Sequence, residues 1–282
     1  MHLNVVRGFE LRADLEHALS RGQFVLEYQP IVQLATGRAV SLEALLRWEH
    51  PDRGLLPPLD FVSLAEATGL IMPIGRWVLD EACRTLARLG PAVGIPDLRM
   101  AVNLSPIQLA DPLLVPSVAR AITEHHIDPG CLVLELTETA VPDPVAAGRI
   151  LGALHDLGVK LAIDDFGSGY SSLGHLGRMP VDIVKLDRTF IQGLTDEDRS
   201  EALAAGIIAL ARSLGLQVVA EGIERQDQLD ILRGLACELG QGNHLARPMR
   251  EATLIAAMTE RPAEPHRASA SGATVPGFAP SR

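Results

Sequence analysis

Residues 34–38 read "LATGR", a five-residue connection between two β-rich runs, 24–33 and 39–47. The turn sits around Thr36-Gly37, and strands joined this tightly pair antiparallel. Past residue 50 the rhythm changes. Runs at 98–103, 131–136, 159–164, 181–187, 216–221 and a short one near 236–240 read as strands. Helical periods cover 60–68, 74–89, 113–126, 143–157, 196–214, 225–234 and 250–259, so that strands are regularly followed by helices. That alternation builds a parallel sheet. About eight strands in roughly 235 residues match an α/β fold of the (β/α)8 TIM type, which takes about 250. The hairpin imposes one departure, a barrel whose first strand is antiparallel.

Boundary residues fit this reading. Residues 8–20 place Leu11, Leu15, Ala18 and Leu19 on one face of an opening helix. Gly69 and Gly90 fit left-handed C-cap positions, and Ser105-Pro106 fits an N-cap followed by proline. Gly158 and Gly215 each separate a helix from the next strand. One domain over residues 1–260 is expected, followed at 261–282 by a proline-, serine- and alanine-rich disordered tail.

The bulk composition excludes several classes. A chain of 282 residues with a formal charge of −10 does not suit broad, non-specific binding of a nucleic-acid polymer. Cys83, Cys131 and Cys237 are far apart and form no C-x-x-C, which points to buried reduced thiols in a cytoplasmic protein. The N-terminus has no long apolar run, and "LAAGIIALA" at 203–211 is too short to span a bilayer.

The strand ends share an oddity. Glu43 lies in "VSLEALLRW", Asn103 ends "MAVNLS", Glu135 lies in "LVLELTE", and Asp164-Asp165 end "LAIDD". Lys185 and Asp187 lie in "IVKLD", Glu221 ends "QVVAEG", and Gln241 follows "CELG". Each alone has a structural explanation: Asn103 as a helix cap, Glu135 and Glu138 flanking a helix start, or Lys185 paired with Asp187. Together they deliver acids, amides and one amine to the mouth where barrel active sites form. Acids packed there raise one another's pKa unless cations are bound, and Lys185 alone is too small a counter-charge. Carboxylates with a carboxamide suit hard divalent ions. Asp164 and Asp165 could each reach a different ion, or one could bridge two. A structure holding one metal or none, with Lys185 paired directly to these acids, would weigh against two ions.

Other chemistries lack their signatures. His125-His126 at a helix end suits solvent exposure better than ligation, and His155-Asp156 in "LHDLG" has no matching set of further histidines. No G-x-S-x-G elbow or G-K-[ST] phosphate loop occurs.

The ordered set "YQPIV" (28–32), "EALLRW" (43–48), "NLSPIQL" (103–109), "ELTET" (135–139), "DDFGSGYSSL" (164–173), "PVDIVKLDRTFI" (180–191), "VVAEGIE" (218–224) and "QG" (241–242) resembles the EAL family of cyclic di-GMP phosphodiesterases over residues 10–258. The resemblance implies a barrel with an antiparallel first strand and hydrolysis of cyclic di-GMP to linear pGpG with two Mg²⁺ or Mn²⁺ ions. It implies that Glu43, Asn103, Glu135, Asp164, Asp165 and Glu221 hold metal, that Lys185 orients the attacking water and that Gln241 helps order it. It gives Gln29, Leu46 and Arg47 to the nucleotide, Arg47 on a phosphate. Glu138, Glu224 and Ser168, where the family commonly has Thr, support the loop after Asp165. Calcium is expected to bind and inhibit, and a homodimer is expected. One departure stands out: Asn243-His244-Leu245 replaces a segment that is usually aromatic and apolar, so the nucleotide-facing wall is expected to differ. A receptor that binds cyclic di-GMP with little turnover is the alternative.

Overall fold

The computed structural model describes residues 2–137, 144–167, 179–195 and 198–259. The proposed tail at 261–282, Glu138 and Ser168 lie outside the described residues.

Strand β1 (Phe24–Gln33) runs into β2 (Ala39–His50) through the "LATGR" turn, where Gly37 takes φ +70°. The two pair antiparallel from Phe24↔Trp48 to Val32↔Ala39. β4 (Arg99–Leu104), β5 (Leu132–Thr137), β6 (Lys160–Phe166), β7 (Ile183–Leu186), β8 (Gln217–Ala220) and β9 (Leu239–Gly240) follow β2 in parallel register. β9 closes the ring antiparallel onto β1 through Val32↔Gly240. Among the described residues this is a closed eight-stranded barrel in which β1 alone is reversed.

The structure moves several boundaries. A short strand, β3 (Gly54–Leu56), pairs with the last three residues of β2, which extends past the expected end at 47. The expected helix at 60–68 divides into a 3₁₀ turn, Pro58–Asp60, and a helix, Val62–Thr68, ended by left-handed Gly69. The next helix spans Ile71–Val93 rather than 74–89, because Pro73 lies in a first turn that needs no N–H from it. Gly90 is therefore inside the helix, and Gly94, at φ +69°, is the left-handed cap. His125 is not exposed at its helix end: its ring bonds Asp80 at 3.0 Å and is mostly covered. Cys83 and Cys237 are buried, which pushes both thiols up to about 12; Cys131 is half-buried.

Inside the barrel one apolar layer is formed by Ile31, Ala101, Val133, Ala162, Ile183, Val219 and Leu239. Side chains of a strand return to the same face every second residue, about 6.6 Å further on. Two residues beyond that layer, toward the C-terminal mouth, stand Asn103, Glu135, Asp164, Lys185, Glu221 and Gln241. Because β1 is reversed, its counterpart lies two residues earlier, at Gln29, directly opposite Glu43. The apolar layer is thus the floor of a polar one.

Candidate active site

Lys185 is at the centre of the polar layer and is 1% exposed. Its Nζ lies 2.7 Å from Glu135, 2.7 Å from Glu221, 3.4 Å from Asp164 and 3.6 Å from Glu43. The pairing with Asp187 does not form. Asp187 instead accepts from the Thr189 backbone and hydroxyl and caps the helix Arg188–Gln192. Nor is Asn103 a helix cap, a role taken by Ser105 in a capping box with Gln108. Asn103 Nδ2 donates to Glu43 Oε1 at 2.7 Å.

Asp164 and Asp165 would point to opposite faces of a regular strand. Here the β6–β7 register shifts between Ile163 and Phe166, and Asp165 takes the left-handed φ of +53°. Asp tolerates that conformation better than most residues, and its own N–H is taken by Asp164 Oδ1 at 2.9 Å. The kink lets one oxygen from each of Asp164, Asp165 and Glu221 come within 4.8 Å of one another.

The charges are unbalanced. Glu43, Glu135, Asp164, Asp165 and Glu221 set five carboxyls around one ammonium, leaving four formal negative charges, which two divalent cations would cancel. Burial opposes ionisation at each of the shifted carboxyls. At Glu43 it is overridden by Lys185 and by bonds from Gln241 and Asn103, which hold that carboxyl below the usual range. At Glu135 burial prevails over Lys185, with help from Glu43, Asp164 and Glu221, and the group rises well above it. Glu221 is pushed up to about 8 by burial, against the pull of Lys185, with Asp164 and Glu43 adding to the rise. Asp165 rises to about 6 through burial, Asp164 and a hydrogen bond shared with Asp187. Lys185, despite burial, is held well above its ordinary value by Glu135, Glu221, Glu43 and Asp164.

Gln241 supplies a second sign that the donor set is incomplete. Its Nε2 donates to Gln29 Oε1 (2.8 Å) and Glu43 Oε2 (2.7 Å). Among the described residues its Oε1 is buried without a hydrogen-bond partner. A buried acceptor left unpaired costs about 1–3 kcal/mol, so this oxygen suits a water or another donor at the same mouth. Gly242 makes the position possible: a Cβ there would stand 2.1 Å from the Ile223 carbonyl oxygen.

The remaining expected residues surround this centre. Gln29 Nε2 donates to the Ala246 carbonyl at 2.9 Å, so Gln29 also holds Gln241. Arg47 Nε meets Glu27 Oε2 at 2.8 Å, a pairing the sequence reading missed. Leu46 lies on the other face of β2 and lines a pocket of about 440 Å³ with Leu45, Leu59 and Val62, whose lining also includes Asn103, Asp164 and Asp165. Leu59 is 94% exposed there. Glu224 is exposed, and its backbone N–H donates to Gln228. Asn243 and His244 are exposed, with His244 against Gln226 at 3.1 Å, while Leu245 packs beside an apolar cluster that includes Val32, Leu34, Ile223 and Leu229. Position 246 reaches the site through its backbone carbonyl.

Residues 12–248 match the EAL domain family model. The chain belongs to the EAL domain family. The bifunctional diguanylate cyclase/cyclic di-GMP phosphodiesterase MucR of Pseudomonas aeruginosa is 47% identical over 259 residues, covering 92% of this chain and 38% of that protein. The cyclic di-GMP phosphodiesterase NbdA of the same organism is 44% identical over 246 residues, 87% of this chain and 31% of its own length. This EAL domain chain therefore spans well under half of those relatives. Among solved structures, a PaMucR phosphodiesterase in complex with c-di-GMP superposes with a TM-score of 0.83 at 46% identity, covering 87% of this chain and 99% of that one. The likeness supports the barrel. Among the described residues, no helix is long and apolar enough to cross a membrane.

Proposed function

We propose that this EAL domain hydrolyses one phosphodiester of cyclic di-GMP, consuming one water, breaking one P–O3′ bond and releasing linear pGpG. The observation that carries the reading is the polar layer itself, five carboxyls and three carboxamides around a buried lysine. Relatives named as cyclic di-GMP phosphodiesterases supply the substrate.

In this reading Glu43, Asn103, Glu135, Asp164, Asp165 and Glu221 hold two Mg²⁺ or Mn²⁺ ions, which, when bound, acidify water and offset phosphate charge. The direct contacts of Lys185 with four acids mean that it braces the carboxyls as well as orienting water, and one cation still leaves their charge uncancelled. The unpaired Gln241 Oε1 accepts a hydrogen from that water. Arg47 offers a fork of donors to a phosphate, and the apolar pocket beside Leu46 takes a guanine base. Loop support by Glu138, Ser168 and Glu224, a homodimer, a cytoplasmic location and inhibition by Ca²⁺ belong to the same proposal.

The test is turnover of cyclic di-GMP with Mg²⁺ or Mn²⁺. We expect pGpG, abolished by a chelator and reduced on the order of 100-fold in Glu43→Ala. The receptor reading draws on the Asn243-His244-Leu245 departure. Tight binding of cyclic di-GMP without turnover would establish it instead.

A further inference from the structure

We infer that Glu27 is a positioning residue that fixes the guanidinium of Arg47 for an anionic phosphate; the inference rests on the reading that Arg47 receives a substrate phosphate. The β1–β2 register sets Val25 opposite Arg47, Glu27 opposite Leu45, and Gln29 opposite Glu43. These odd-numbered residues share one face of the hairpin, because side chains alternate. Arg47 and Glu27 therefore stand on the same face as Gln29 and Glu43, Glu27 one step and Arg47 two steps further out from the polar layer.

Two bonds fix the arginine. Glu27 Oε2 takes Nε at 2.8 Å, and Nη1 donates to the Leu46 carbonyl at 2.9 Å. A guanidinium carries five N–H donors in a rigid fork, so among the described residues three remain, one on Nη1 and two on Nη2. A phosphodiester needs two of them for a bidentate contact. The side chains are only 14% and 16% exposed, so the pair is largely withdrawn from water.

Stability alone gives little reason for this pair. A largely buried ion pair is weak evidence for stability, and an apolar replacement of similar volume is often neutral or better. Binding gives a clearer one. An unrestrained arginine gives up rotamer freedom when it is fixed on a ligand. An arginine already held by its Nε gives up less at that moment, which appears as tighter binding. Glu27 approaches from the Nε side and leaves Nη2 open, so it orients the fork without occupying all of it.

The test measures Kd for cyclic di-GMP by calorimetry in the presence of a chelator, where no turnover occurs, together with kcat and KM in Mg²⁺. Glu27→Ala is expected to raise Kd and KM about fivefold with kcat within about twofold. Glu27→Gln keeps an acceptor for Nε and should stay within about twofold of wild type. In an Arg47→Ala background, Glu27→Ala should change Kd by less than about 1.5-fold, the signature of a residue acting through its partner. Glu27→Leu carries the same expectation if Glu27→Ala does not fold. Unchanged or tighter binding in Glu27→Ala, or an equal loss in the Arg47→Ala background, overturns the positioning role alone. An Arg47→Ala variant that binds as wild type overturns the phosphate reading of Arg47, and the positioning role with it.

Discussion

At the N-terminal mouth of the barrel, Arg99 on β4 bonds Gln217 on the opposite strand β8 at 2.6 Å. They line a cavity of about 770 Å³ whose other charged residues are Asp97, Arg233 and Glu238. At the C-terminal mouth the pocket is smaller, about 440 Å³, yet five carboxyls converge there on one buried lysine. The larger opening has two arginines against two acids, and both acids are exposed. Volume would select the first mouth. Charge that burial leaves uncompensated selects the second, because only there do the groups need something the protein does not provide.

Substituting one cation at each mouth gives the largest expected contrast. Lys185→Met should lower kcat by about 100-fold or more, whereas Arg99→Met should stay within about twofold, read under identical Mg²⁺ concentrations. Comparable losses in the two variants would dissolve the distinction. Next in size is Gly242→Ala, whose Cβ would collide with the Ile223 backbone. Overpacking of this kind costs about 1–3 kcal/mol, and displacement of Gln241 should lower kcat along with the melting temperature.

The smallest expected effect is a pH trend in the metal-free protein. Glu221 is held up at about 8 in the fold, above its ordinary 4.5. Between those values the folded state keeps a proton that the unfolded chain has released, so stability falls as pH rises through that window. Melting in a chelator should therefore lose roughly 3–6 °C between about pH 5.5 and 8.5, relative to Glu221→Gln over the same range. Excess Mg²⁺ should shrink the difference, since metal binding needs the deprotonated carboxyls. Parallel curves for the two proteins would show that Glu221 does not carry this charge imbalance.

Much of this was legible in the sequence because a strand repeats with a period of two. Ala101 and Asn103, Val133 and Glu135, and Ile183 and Lys185 each show floor and rim in three consecutive residues. The "LATGR" turn, likewise, is local chemistry and fixed the reversed strand. Asp165 was read as a metal ligand, but the geometry that brings it beside Asp164 was not legible, since it depends on a register shift and a left-handed backbone that neighbouring letters do not specify. Gly90 misled because glycine followed by proline ordinarily closes a helix, while packing carried this one a further turn to Gly94. Glu27 was within reach: counting back by two from Gln29, opposite a strand bearing Arg47, leads to it. The contact between Gln29 and residue 246, 217 positions apart, had no sequence signal.

That last contact ends on a main-chain carbonyl, an acceptor that every amino acid carries. The exposed pair Asn243-His244 can accordingly exchange its side chains while the tether to Gln29 and Gln241 persists. For protein engineering, it is a place where surface chemistry, labels or new recognition elements can be introduced beside the mouth without rewriting the residues that do its chemistry.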